Sequence, residues 1–259
     1  MLLVVTVVFA LVAGLTGYQA LRARAERRQR GILGPWPIRT VPLDDFDATF
    51  RPGPFGPGLE TEVHFVGRGS LPVAGGTSDA EAWVLAVLAK RAQALFEFGT
   101  ATGKTAYLWA RNAPEHARLV TLTLAPDQLP EYTRESDDRV QDVQSARSES
   151  VFDEFLYTGT AVEARITQLF GDSKRFDESP YVEQFDLIFV DGSHAYSYVL
   201  NDSRKALRMC APGGIVLWHD YRGARRAVGV FQALNELARE LPLVHLAGTT
   251  LVAYRKPIA

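Results

Sequence analysis

One cysteine, Cys210, is all the thiol this chain of 259 residues possesses, so an internal disulfide and a cysteine-rich zinc cluster are both excluded. It falls in a predicted helix with no histidine cluster around it, which reads as a buried structural thiol in a reducing compartment rather than a nucleophile. A surplus of charge is missing as well. Twenty-eight Lys and Arg stand against thirty Asp and Glu, a formal net charge of -2. That balance argues against a partner held by phosphate neutralisation, and no nucleic acid is expected. There is no internal repeat. The first 21 residues, finally, contain no charged side chain at all.

Within that uncharged run, Met1 to Leu21, the polar interruptions are Thr6, Thr16, Tyr18 and Gln19. As a helix the segment would reach roughly 30 Å, the thickness of a hydrocarbon core. Arg22, Arg24, Arg27, Arg28 and Arg30 come directly after it. Basic residues on that flank place the rest of the chain on the cytoplasmic side. A cleaved secretory signal is the rival reading, but it would carry its basic residues before the apolar run. The expectation is a single-pass membrane anchor over 1–21, then a basic juxtamembrane segment and a Pro/Gly-rich linker over 22–76. A catalytic domain over 77–259 would face the cytoplasm.

In that third segment, Ser78-Asp-Ala-Glu81 has the spacing of a capping box and opens a helix with Trp83, Val84, Val87 and Leu88 on one face. Short apolar strands then alternate with helices. Strands are expected at 94–98, 119–124, 166–170, 186–190 and 215–218, helices at 104–112, 195–211 and 225–240. The polar stretch 134–150 reads as a loose loop or exposed helix, and 243–246 with 250–254 as an antiparallel pair. The pattern predicts an α/β fold, a mostly parallel sheet with helices on both faces, whose ligands bind beyond the carboxyl ends of the strands.

Three strand ends carry candidate chemistry. After the first comes Glu97-Phe-Gly99-Thr-Ala-Thr-Gly103-Lys104, two glycines that permit a tight turn and close approach of backbone to ligand. The Gly-Lys-Thr run invites a phosphate-loop reading. That loop needs four residues between its glycines and here there are three, so a nucleotide hydrolase is set aside. Lys104, at a helix start, is expected to point into solvent. Asp191-Gly-Ser-His194 and His219-Asp220-Tyr221 come after two further strands. Asp191 and Asp220 together suit Mg²⁺ or another hard divalent cation, and His194 suits a general base because imidazole titrates near neutrality. His116 and His245 read as ordinary satisfied histidines, and His64 is left open.

From Ala94 to Asp220 these segments resemble a class I S-adenosylmethionine-dependent methyltransferase, nearest the catechol O-methyltransferase and macrocin O-methyltransferase-like branch. The resemblance is carried by Phe-Glu-Phe-Gly-Thr-Ala-Thr-Gly at 96–103, Gly171-Asp172-Ser173, Phe-Asp-Leu-Ile-Phe-Val-Asp-Gly-Ser-His at 185–194, and Pro-Gly-Gly-Ile-Val-Leu-Trp-His-Asp-Tyr at 212–221. It implies a Rossmann-like seven-stranded sheet and S-adenosylmethionine as cofactor. It places Glu97, Gly99, Thr100, Gly103, Thr123, Asp127, Asp172, Ser173 and Asp191 around that cofactor, with metal at Asp191, His219 and Asp220 and His194 as catalytic base. The acceptor would be a hydroxyl of a small molecule or glycan-like compound. One departure stands out: Thr123 occupies the place where the family carries an acidic residue for the ribose hydroxyls, with Asp127 as a substitute from the loop. A non-catalytic scaffold of the same fold at the membrane is the alternative that this departure favours.

Overall fold

The computed structural model of the chain describes residues 14–19, 21, 37–51 and 77–258. Residues 14–19 and Leu21 are helical, with Leu15, Tyr18 and Leu21 exposed. Among the described residues no helix is long and apolar enough to cross a membrane. The rest of the expected anchor, the basic segment after it and His64 lie outside the described residues.

Among the described residues the sheet has eight strands, not the seven expected, in the order β1-β7-β8-β6-β5-β2-β3-β4. They are β1 (Arg39–Val41), β2 (Ala94–Phe98), β3 (Arg118–Thr123), β4 (Ile166–Phe170), β5 (Phe185–Val190), β6 (Cys210–Trp218), β7 (Val244–Leu246) and β8 (Val252–Arg255). All neighbours pair in parallel except β8, which runs antiparallel to both β6 and β7. The extra strand comes from within the expected linker. Residues 37–51 are packed: Ile38, Val41 and Phe50 are buried, β1 pairs with β7, and Phe50 meets Trp83 edge-on at 5.4 Å between ring centroids. A strand of three residues is too short to show alternation, and Pro37 and Pro42 on either side confine it to a sheet edge.

Helices cover both faces. They are α1 (Leu43–Phe46), α2 (Asp79–Ala89), α3 (Lys104–Asn112), α4 (Val140–Glu149), α5 (Tyr196–Met209) and α6 (Val228–Leu237). Side chains alternate through the sheet as a strand period of two requires. Leu95, Leu119, Leu187, Phe189 and Leu217 pack with Leu85, Leu88 and Trp109 of α2 and α3 on one side. Phe96, Phe98, Val120, Ile188, Val190 and Val216 pack with Val199, Met209 and Leu234 of α5 and α6 on the other. Apolar side chains on both faces explain why the strands read as continuous apolar runs.

Three local expectations change. The polar stretch 134–150 holds a helix, α4, whose Val143 and Ala146 join Leu124, Tyr132, Ala195 and Tyr198 in a small separate apolar cluster. Two apolar contacts on an otherwise polar helix leave no visible stripe in the sequence. Cys210 begins β6 instead of ending a helix; it remains a buried free thiol, pushed up to about 12 by burial. Lys104 is buried, not solvated: its Nζ donates to the Thr77 carbonyl at 2.8 Å and so ties α3 to the approach of α2.

Candidate active site

The chain runs β2, β3, β4 to one side and then returns to place β5 on the other side of β2. This reversal makes a crevice between the β2 and β5 ends, the usual ligand position in such sheets. Here the two turns touch. Asp191 N donates to Phe98 O at 2.8 Å, and Gly99 N to Leu122 O at 2.8 Å. Gly99 has φ +97°, and a β-carbon on it would lie 2.1 Å from the Asp191 carbonyl oxygen. Only glycine fits there. Gly103, φ +78°, starts α3 beneath the Phe155 and Tyr157 rings, and a β-carbon would meet Tyr157 at 2.7 Å.

Beyond these turns lies a cleft enclosing about 560 Å³ of empty space and open to solvent. Gly99, Thr123, Asp172, Ser173 and Asp191 line it. Glu97, Thr100 and Gly103 are brought close but stand behind the wall, and Asp127 is exposed in a short turn outside the lining. Asp172 accepts from Lys174 N at 2.9 Å and from the Tyr198 hydroxyl at 3.3 Å.

Four lining residues escape sequence reasoning. Tyr132 and Tyr198 stack at 4.4 Å and 4° on one wall. Asp202 of α5 is buried and pushed up to about 6 by that burial. Glu149, from the last turn of α4, is raised by burial against the opposing charge of His194. Each sits on a helix or turn whose approach to the strand ends is set by packing, so no local signal marks it.

Glu97 anchors a buried hydrogen-bond chain behind the glycine turn. Tyr157 donates to Gln168 Oε1 at 2.5 Å, and Gln168 Nε2 to Thr100 Oγ1 at 3.2 Å. The Thr100 and Thr121 hydroxyls are 2.7 Å apart, and Thr121 donates to Glu97 Oε2 at 2.7 Å. Burial pushes the Glu97 carboxyl up to about 8, with the Asp191 charge adding to it.

Asp191, His194, His219 and Asp220 converge beside the cleft. His219 Nδ1 is 2.9 Å from Asp191 Oδ1, and its Nε2 is 3.3 Å from Glu81 Oε2. His194 Nε2 is 2.7 Å from Asp220 Oδ2, while the Arg222 guanidinium lies 2.5 Å from Asp220 Oδ1. Burial alone would lower both imidazoles, but the carboxylates raise them: Asp191 and Asp220 act on His219, and the Asp220 hydrogen bond acts on His194. Burial would raise Asp220, yet His219, His194 and Arg222 hold it well below the usual carboxylate range. Asp191 stays above its ordinary value, because burial outweighs the pull of His219. Asp220 has φ +61°, a left-handed conformation that is uncommon for aspartate and typical of functional turns.

These residues fit a divalent cation. One ligand atom each from Asp191, His219 and Asp220 lies within 4.8 Å of the others; Asp220 Oδ1 is buried, with the Arg222 guanidinium at 2.5 Å as an ion-pair neighbour but outside hydrogen-bond geometry. Two carboxylates and an imidazole form a suitable hard donor set. The other two described histidines lie elsewhere. His245 is buried between Thr40 and the Thr249 carbonyl, and His116 is exposed.

A doubly covered parallel sheet, a glycine turn at the reversal point and an Asp/His cluster at the adjoining strand ends belong to a Rossmann-like methyltransferase fold. Residues 96–221 match the family model described as a methyltransferase domain. No curated protein matches the chain. Among solved structures, the SAH-bound methyltransferase PaMTH1 of Podospora anserina is 17% identical, over 70% of this chain and 80% of that one, with a TM-score of 0.51. The O-methyltransferase TomG from Streptomyces achromogenes is 19% identical over 71% and 83%, with a TM-score of 0.49. An O-methyltransferase from Bacillus cereus is 20% identical over 71% and 84%, at 0.49. Residues 96–221 are thus a methyltransferase domain, and the chain is an enzyme, a methyltransferase.

Proposed function

We propose that the enzyme transfers the methyl group to a hydroxyl of a small-molecule or glycan-like acceptor, and that a divalent cation assists. The observation that carries this reading is the His194–Asp220 pair, 2.7 Å apart, at the edge of the cleft that Gly99, Thr123 and Asp191 line. Bound S-adenosylmethionine supplies an electrophilic methyl on sulfur. A cation held by Asp191, His219 and Asp220 would supply Lewis acidity that lowers the acceptor hydroxyl's pKa.

The chain's own residues do the rest. Asp220 engages His194 at Nε2 and leaves Nδ1 to take the hydroxyl proton, while its negative charge stabilises the imidazolium that results. Asp172 and Thr123 offer oxygens along one wall for the cofactor's hydroxyls, with Asp127 in the adjacent loop. Tyr132, Tyr198 and Phe98 supply apolar surface that excludes water. Thr123 gives a weaker contact than a carboxylate, because charge-assisted hydrogen bonds are roughly twice as strong as neutral ones.

The charge-free run 1–21 with five arginines directly after it supports a single-pass anchor with the domain on the cytoplasmic face. Such an anchor would place the enzyme near membrane-linked acceptors. The test is calorimetric titration with S-adenosylmethionine, with and without Mg²⁺. Micromolar binding that Gly99→Arg abolishes is expected; a folded protein that binds none under either condition refutes the reading.

A further inference from the structure

Glu81 enters the sequence as the third residue of a helix cap, a role that leaves most glutamates exposed. Here its side chain is only 4% exposed and accepts five hydrogen bonds. Ser78 N at 2.8 Å, Ser78 Oγ at 2.7 Å and His219 Nε2 at 3.3 Å reach Oε2. Thr250 N at 2.7 Å and Thr250 Oγ1 at 2.8 Å reach Oε1. A cap requires only the bond from the Ser78 amide. The other contacts tie the start of α2 to the turn before β8 and to the end of β6. The His219 ring, also 4% exposed, has its second nitrogen 2.9 Å from Asp191 Oδ1 and 3.5 Å from Asp220 Oδ1.

We propose that Glu81 is the positioning residue of the candidate metal centre. By accepting a hydrogen bond from the Nε2–H it fixes the His219 ring so that Nδ1 faces Asp191 and Asp220, where it can ligate a divalent cation. A carboxylate that receives the outer N–H of a ligating histidine sets both its tautomer and its orientation. Nε2 keeps its proton whether or not Nδ1 carries one. Glu81 itself touches neither substrate nor cation. The inference rests on the metal-assisted reading above.

The test uses the full-length chain in detergent with ¹⁵N-labelled histidine. In the wild type, the His219 Nε2 signal is expected to show a directly bound, slowly exchanging proton. Glu81→Gln removes the charge and turns one acceptor into a donor. It should weaken Mn²⁺ binding, read by calorimetry, by roughly 10- to 100-fold, with S-adenosylmethionine affinity retained. The Nε2 proton should then exchange roughly tenfold faster or more. Ser78→Ala is the control for a merely structural role. It weakens the cap but leaves the Glu81–His219 contact, so it should lower the thermal midpoint and keep the wild-type Mn²⁺ affinity. A wild-type His219 protonated on Nδ1 alone overturns the proposal, even if no Glu81 variant folds. A folded Glu81→Gln with wild-type Mn²⁺ affinity and wild-type Nε2 exchange overturns it too. If the wild type binds no Mn²⁺ but Glu81→Gln still releases the Nε2 proton, the metal reading fails and the positioning role stands.

Discussion

Glu97→Gln should make the protein more stable as the pH rises, although the residue it replaces is buried and hydrogen-bonded. The Glu97 carboxyl is 1% exposed and burial lifts it from 4.5 to about 8. Between those values the unfolded chain ionises at this position while the folded chain keeps its proton. A group raised in the folded state contributes fully below its unfolded value, and that contribution is lost as pH climbs toward the folded value. The native state therefore loses about 1.4 kcal/mol per pH unit through Glu97 in that window. Between about pH 5.5 and about pH 7.5 the loss is about 2–3 kcal/mol. Glutamine fills the same volume, can still accept from Thr121 and does not ionise. The assay is urea unfolding of both proteins at several pH values and constant ionic strength. Subtracting one curve from the other cancels the remaining titrating groups. The variant should gain about 2–3 kcal/mol relative to the wild type over that interval. A difference that stays flat with pH would show that Glu97 is ionised in the fold, and the reasoning would fail.

Other expected outcomes concern the site and the edge of the sheet. His194→Ala should lower kcat by roughly 10²- to 10⁴-fold. In the wild type, activity should rise with pH through a value above the ordinary imidazole range, since the base acts deprotonated and Asp220 raises it; that limb should vanish in the variant's pH–rate profile. Thr123→Asp should strengthen S-adenosylmethionine binding by about 1.5–3 kcal/mol if its carboxylate reaches the ribose hydroxyls, as calorimetry would show. Phe50→Ala should cost about 3–5 kcal/mol of stability by thermal or urea unfolding, whereas a change within about 0.5 kcal/mol would mean that residues 37–51 are not packed on α2.

Much of the architecture was legible because its signals are local. Apolar strands of five or six residues, Gly99 and Gly103 around a tight turn, and the Ser78–Glu81 cap are encoded over short windows, and α3 was placed to the residue at Lys104–Asn112. Asp191, His194, His219 and Asp220 could be named because each lies just past an apolar strand, and strand ends of a parallel sheet gather on one edge. What stayed hidden depends on contacts between distant segments. β1 is three residues long and exists only because β7 offers it an edge, 205 positions away in the chain at the Thr40–His245 pair. α4 reaches the cleft through Val143 and Ala146, too few apolar residues to form a stripe, so Glu149 could not be placed.

The sequence by itself determined the class of fold, the edge of the sheet that holds the candidate site and the residue types gathered there, since periodicity, turn chemistry and strand-end position are properties of neighbouring residues. Only the tertiary structure decided which of those residues face the cleft and which stand behind it. It put Glu97 and Thr100 into a buried hydrogen-bond chain, turned Lys104 inward to the Thr77 carbonyl, and set Glu81 against His219 across 138 positions of sequence. Burial and the opposing charges that reach a group through space fix such roles, and both are sums over the packed molecule that no local window contains.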